Sequence, residues 1–396
     1  MEEEYTHIVP VLSDSIQFNP LTNNEFILCN TQDKHYLKIN REVYRILSLM
    51  DGEKSIGEIA QLYESTYGKS VPGKFIHALL TDTLAGYGML KGYDEKIKPF
   101  TKPAYLKLSF IIFNKNLLSK IVDYFSPLFK KNVFICLITA ILLFTVAILI
   151  KDIDLYKHFD VRASFLLFFL LQFISVTFHE IGHASAAKYF GAEHGGIGGG
   201  FYLFRPVYFA DVTDIWKLKR GQRIVVNLAG IYFELIFCFI LLVISFLFNS
   251  YTLIMTSLFI MTSTLFNLNP FIRGDGYWVL SDLTNKPNLS SNARKKVINL
   301  FKSVFSQQKI SCQYTDIYMI LYGLVQFSFI SMFLYYTLVK NPASIIYFPI
   351  NLYDFVKNII AGESFSLYGF RRLIIPLVFY YLVFNFIRSL VKKYMK

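Results

Sequence analysis

His179-Glu180-Ile181-Gly182-His183 places two imidazoles four residues apart, with a carboxylate beside the first. Positions i and i+4 share one face of a helix, so both rings can hold a single divalent ion. The glutamate between them is then positioned to move protons for a water activated by that ion. The surroundings make this unusual. From Phe165 to Phe178 the only polar side chains are Gln172, Ser175 and Thr177. An ionisable group inside a bilayer costs about 2.5–3.5 kcal/mol for Asp, Lys or Arg. Zinc contributes roughly 10–16 kcal/mol in structural sites, enough to offset that cost.

A hydrolytic zinc needs three protein ligands and one open position. The run Asn267-Leu268-Asn269-Pro270-Phe271-Ile272-Arg273-Gly274-Asp275-Gly276 can supply the third. Asp275 offers the carboxylate, and Pro270, Gly274 and Gly276 break the helix so that the chain can bend toward the ion. The run Gly195–Gly200 matches no phosphate-binding fingerprint. With Phe201–Ala210 it reads either as a hairpin offering an edge for strand pairing or as a flexible loop. His194, inside this turn, reads as an exposed or hydrogen-bonded histidine rather than a ligand. Glu234 is a bare acid in an apolar run, and either pairs with another helix or approaches the site. Asp211, Asp214 and Trp216 receive no chemical role from the sequence.

The elements that must carry these residues are mostly apolar. Of 396 residues 54% are hydrophobic, which excludes an ordinary soluble enzyme. The expected spans are Val133–Ile150, Phe165–Tyr189, Ile224–Phe248, Leu253–Leu268, Ile317–Val339 and Leu373–Ile387, each near the length that crosses about 30 Å of hydrocarbon. Tyr105–Phe129 and Ile345–Ile360 mix apolar and charged residues and read as interfacial. The fold class is thus an α-helical polytopic membrane protein of about six transmembrane helices, with a membrane-dipping β-hairpin and a small N-terminal α+β module. The expected division is 1–95 for that module, 96–132 for a linker and interfacial segment, 133–285 for the metal-bearing core, and 286–396 for a basic loop and two further spans.

The net charge of +12 is uneven, since residues 1–100 carry 14 acids and 10 bases. The remaining basic residues cluster beside apolar spans, which excludes nucleic acid as the partner and makes the lipid bilayer one. Lys217, Lys219, Arg220 and Arg223, the group Lys286–Lys309 and the tail Arg388–Lys396 fall on one side if there are six spans. The positive-inside rule makes that side the cytosol, with both termini there; Arg371 and Arg372 dissent. Met1-Glu2-Glu3-Glu4 has no apolar run behind it and does not read as a signal peptide. Cys29, Cys136, Cys238 and Cys312 stand far apart and read as small buried hydrophobes.

In the N-terminal module, Ser15–Phe18, Glu25–Cys29 and His35–Ile39 read as strands, with a turn at Thr31–Lys34. Asn40 caps a helix whose apolar face is Val43, Ile46, Leu47 and Met50. Ser55 and Glu58 form a capping box for the next, which Tyr67-Gly68 ends. A third helix carries Phe75, Leu79 and Leu84. Strands followed by short helices outline a winged-helix-like module. The run Tyr36–Asn40 through Asp51-Gly52 to Ser55–Ile59 resembles the PqqD-like peptide-recognition domain. That resemblance implies capture of a leader peptide as an added strand on the third strand.

Phe178–Ala184, Pro206–Val212 and Asn267–Tyr277, in that order, resemble the site-2 protease family of intramembrane zinc metalloproteases, in its peptide zinc metalloprotease branch. The resemblance implies Zn2+ on His179, His183 and Asp275, acid/base work by Glu180, and a role for Asn267 in polarising the substrate carbonyl. This chain departs from the family at Gly274, where many members have leucine, and at Ile231–Glu234, where many carry Pro and Asn. The two resemblances together lead us to expect an endopeptidase in a bacterial plasma membrane. It would cut the leader from a ribosomally made, modified precursor peptide, with a modifying enzyme and an exporter as further partners. A protease acting on a membrane-spanning regulator, and a non-hydrolytic immunity or export protein, are the rival readings.

Overall fold

The structure, a computed structural model, describes residues 6–22, 24–97, 107–151, 161–202, 205–286, 288–306, 314–361 and 367–394. Two compact units divide the chain, Met1–Asn285 and Lys286–Lys396. The first opens with an antiparallel sheet of β1 (Ile16–Thr22), β2 (Glu25–Asn30) and β3 (His35–Asn40), in that order. Three helices follow: α1 (Arg41–Ser48), α2 (Ile56–Tyr67) and α3 (Gly73–Ala78). Their ends follow local chemistry. Asn40 accepts from Val43 N at the start of α1, and Ser55 and Glu58 cap α2 reciprocally. Gly68 closes α2 in the left-handed conformation that a side chain resists. Leu28, Ile46, Leu47, Ile56, Ile59, Tyr63 and Ile76 meet in the core beneath.

A second sheet sits further along the same unit. β4 (Lys107–Phe113) pairs with β5 (Ile197–Tyr202), which pairs with β6 (Arg205–Ala210), all antiparallel. The expected hairpin is present. β4 was not expected, because its run of apolar residues lacks the alternation that marks a half-buried strand. Phe110, Ile111 and Ile112 are exposed in succession, so both faces of this edge present apolar groups. The glycines of β5 allow the third strand. A Cβ on Gly198 would lie 2.4 Å from the Phe110 carbonyl and 2.7 Å from the Phe209 ring. The amphipathic α4 (Lys115–Phe125) follows, burying Leu118 and Val122.

The helices of this unit are α5 (Lys131–Lys151), α6 (Val161–Tyr189), α7 (Arg220–Phe248), α8 (Tyr251–Phe266) and α9 (Asp275–Leu283). α6 packs on α7, and α7 on both α8 and α9. Their outward faces carry exposed Leu142, Leu143, Ile150, Leu166, Phe169 and Phe248, a surface suited to lipid rather than water. The second unit holds α10 (Leu289–Ser306), α11 (Tyr314–Tyr335), α12 (Pro342–Ile346), α13 (Phe348–Ile360) and α14 (Leu367–Tyr394).

Among the described residues four helical segments are long and apolar enough to cross a membrane: Lys131–Lys151, Leu166–Tyr189, Arg220–Phe248 and Asp316–Lys340. They coincide with four of the six expected spans. α8 is apolar but has 16 residues, about 24 Å of helix, because Asn267–Pro270 ends it early. In α14 the uncharged stretch Leu373–Ile387 lies between Arg372 and Arg388 and falls short of about 18 residues, with Pro376 inside it. Most of the expected linker Lys96–Pro103, and Cys312, lie outside the described residues.

Candidate metal centre

The metal-facing atoms come from two helices that share α7 as a neighbour. His179 and His183 stand one turn apart on α6, and Asp275 is the first residue of α9. His179 Nε2 lies 3.0 Å from His183 Nε2 and 2.9 Å from Asp275 Oδ2. His183 Nε2 lies 3.4 Å from Asp275 Oδ1. A tetrahedral zinc with bonds of about 2.0–2.1 Å spaces its ligands about 3.3 Å apart. With one ligand atom taken from each residue, all three lie within 4.8 Å of one another, close enough to share one ion. Gly230 on α7 supplies the room. A Cβ there would stand 2.5 Å from both Nε2 atoms, in the space the ion needs. Donor set, spacing and the bare glycine fit zinc.

Each imidazole is held from behind. His183 Nδ1 lies 2.8 Å from the Val226 carbonyl, and His179 Nδ1 lies 3.1 Å from Glu234 Oε2. A ring whose Nδ1–H donates to an acceptor presents the lone pair of Nε2 toward the metal. Glu180 is buried beside the rings. Its Oε2 accepts from the backbone N–H of Ala210, 2.5 Å away, at the end of β6. Among the described residues β6 pairs with β5 alone, so this carboxylate meets the edge of β6 that has no strand partner there.

The bend expected between Asn267 and Gly276 is present. Asn267 caps α8, is exposed, and its backbone carbonyl accepts from Gly276 N at 2.9 Å. That bond turns the chain into α9 and brings Asp275 to the rings.

Beyond these residues the site has supports that the sequence reading did not assign. Arg223 on α7 donates from Nε to Asp282 Oδ1 at 2.8 Å, and Asn227 Nδ2 donates to Asp282 Oδ2 at 3.2 Å. Burial pushes the Asp282 carboxyl up, against the opposing pull of the Arg223 guanidinium. Asp282 follows Asp275 by seven residues, two turns along the same face of α9. The stripe 223, 227, 230, 234 on α7 has the matching helical spacing. Those two periodicities were the signal in the sequence. Trp216 stacks under the Arg223 guanidinium, 5.3 Å away.

Asp214 belongs to a short 3-10 turn, Thr213–Lys217, that follows β6. It accepts from the Tyr36 hydroxyl of β3 at 2.8 Å and from Glu193 N at 2.6 Å, and pairs with Lys217. Burial, and then this carboxylate, hold the Tyr36 phenol above its ordinary range, so it remains a donor. Asn285 Nδ2 also reaches Glu25 Oε2 of β2 at 3.1 Å. These bonds seat the N-terminal sheet on the loop beside the site. Asp211 binds the Thr213 hydroxyl at 2.7 Å, and its backbone closes on Gly195 and Gly196. His194 is buried and hydrogen-bonded to Gly195 O and Ser119 Oγ, away from the metal-facing atoms. Burial pushes the Cys29 thiol up to about 11, which leaves it inert.

Residues 167–352 match the model of Peptidase family M50. The match to the M50 model takes in His179, Glu180, His183 and Asp275. The chain is also similar to the putative peptide zinc metalloprotease protein YydH of Bacillus subtilis (strain 168), 30% identical over 110 residues. That stretch is 27% of this chain and 43% of the relative, so the chain spans less than half of the relative's length. No solved structure matches the chain. Residues 167–352 are thus similar to Peptidase family M50 over the segment in which His179, His183 and Asp275 meet among apolar helices.

Proposed function

We propose that this chain is an intramembrane zinc endopeptidase that cuts the leader of a ribosomally made, modified peptide at the cytosolic membrane face. The observation that carries the reading is the meeting of Glu180 with the open edge of β6, beside His179, His183 and Asp275. A peptide bond inside a helix is shielded, so a substrate must be extended before it is cut. Strand addition to β6 extends it, and backbone hydrogen bonds supply affinity without demanding one side-chain sequence. The substrate's carbonyl then competes for the Ala210 N–H and releases the Glu180 carboxylate.

Zinc, when bound, supplies a Lewis acid and an acidified water. His179, His183 and Asp275 would hold it. Glu180 accepts a proton from the attacking water and delivers it to the departing amine. The resemblance to the site-2 protease family assigns Asn267, at the end of α8, to polarising the substrate carbonyl.

The N-terminal module supports the choice of substrate. Its β3 is a sheet edge, and Tyr36 on that strand ties it to the loop leaving β6. A leader captured there is tethered near the zinc, which raises the effective concentration of the scissile segment. The name of the similar Bacillus subtilis protein, putative peptide zinc metalloprotease, agrees with a peptide substrate. The basic loops support a cytosolic module by the positive-inside rule, and a modifying enzyme and an exporter would act before and after cleavage.

Membranes carrying the full chain, mixed with leader-bearing precursors and read by mass spectrometry, test this. The expected product is a released leader, with Glu180→Gln slower by about 10²–10⁴-fold while zinc stays bound. Undiminished cleavage by Glu180→Gln rejects the mechanism. Cleavage of a membrane-spanning regulator in place of a leader transfers the site to the rival substrate class.

A further inference from the structure

We propose that Glu234 is a positioning residue for the metal centre, orienting His179 and adding negative charge behind it. The inference rests on the zinc reading above. Glu234 lies within a candidate span, and only 3% of its surface is exposed. A carboxylate in that position needs a reason, because apolar packing at the same place is available to Leu or Phe at no desolvation cost.

Both of its oxygens are used on α6. Oε2 lies 3.1 Å from His179 Nδ1, and Oε1 accepts from Ser175 Oγ at 3.3 Å. Ser175 and His179 are one turn apart, so one carboxylate grips two successive turns of the helix that carries the ligands. Glu234 itself stands one turn beyond Gly230, the residue that leaves space for the ion. Room and orientation thus come from adjacent turns of one α7 face.

The two histidines are treated differently. His183 is backed by the neutral carbonyl of Val226, and His179 by a carboxylate. An acceptor bearing charge polarises the imidazole more strongly and raises its basicity as a ligand. A divalent ion in a bundle of apolar helices is also stabilised by each nearby negative charge, since little water screens it. Glu234 therefore strengthens the His179–metal bond beyond what ring orientation alone gives.

The test uses the full chain purified in detergent, the metal alone, and three side chains at one position. Zinc affinity is read by competition with a chromophoric chelator, and the ligand field by the visible bands of the cobalt-substituted protein. Glu234→Gln keeps shape and can still accept from His179, but removes the charge. It is expected to weaken zinc by about 10–100-fold and to shift the cobalt bands. Glu234→Leu is expected to weaken zinc further. Ser175→Ala, which leaves the His179 bond in place, is expected to produce a smaller loss in the same direction. Zinc affinity and cobalt bands in Glu234→Gln identical to those of the unaltered chain overturn the proposal, because packing alone survives that change. If the unaltered chain binds no zinc, the metal reading itself falls, and the two failures are distinguishable.

Discussion

The N-terminal module and the helical bundle around the metal centre are built with opposite polarity. The module buries Leu28, Ile46, Ile56 and Ile59 and places Glu42, Lys69 and Glu58 outside. The bundle buries Ser175, His179, Glu180, Arg223, Asn227, Glu234 and Asp282 and places Leu142, Leu166, Phe248 and Phe266 outside. In water, apolar burial drives association and polar groups act at the margins. Between helices in lipid there is no such drive, and small residues and hydrogen bonds hold the helices together. The polar groups that hold α6, α7 and α9 together are thus also the groups that shape the metal centre. Structure and chemistry share residues in the bundle and are separable in the module.

Equivalent substitutions in the two regions should break this contrast or sharpen it. The largest effect is expected for Gly230→Ala. Its methyl would meet both Nε2 atoms, and neither ring can swing aside without losing its Nδ1 partner. Zinc content and cleavage should both be abolished, and retention of one zinc per chain contradicts the cradle. Next comes Arg223→Ala, which strands the buried Asp282 carboxylate. A loss of roughly 3–5 kcal/mol is expected from thermal unfolding in detergent, together with weaker zinc binding as α9 loosens. The matching change in the module, Lys69→Ala, removes an exposed pair with Glu42 and should leave the midpoint where it was.

Gly68→Ala tests the module's own glycine. Gly68 has φ of 68° and open space around the missing Cβ, so only backbone strain of about 1–2 kcal/mol is expected. Zinc content should not change, in contrast with Gly230→Ala. The smallest effect belongs to Tyr36→Phe. It removes one hydrogen bond to Asp214, about 0.5–1.5 kcal/mol, and should slow leader cleavage only slightly while zinc affinity holds. A large drop in cleavage there would show that the module and the bundle are coupled far more tightly than their separate cores suggest.

Local chemistry was legible in the chain itself. Asn40, Ser55 with Glu58, and Gly68 mark helix ends because capping depends on neighbours within four residues. The pair His179/His183 was readable because one helical turn fixes their relation. The bend at Asn267–Gly276 was readable because proline and glycine act on their own backbone. Partners from distant segments were not. β4 joins β5 across about ninety residues, and nothing in its apolar run distinguishes an edge strand from an interfacial helix. Glu234 was visible as an isolated acid, but its hold on His179 depends on how α7 rotates against α6. Arg223 was read as a loop charge that sets orientation, yet it is buried against Asp282.

The sequence by itself determined four of the apolar spans, the module's helix caps, the histidine pair and the bend that frees Asp275. Each of these follows from residue type and spacing within one or two turns. Only the tertiary structure decided which carboxylate backs which imidazole, which glycine leaves the ion its space, and which strand edge meets Glu180. Those relations are set by helix rotation and close packing between segments, and a one-dimensional pattern carries neither.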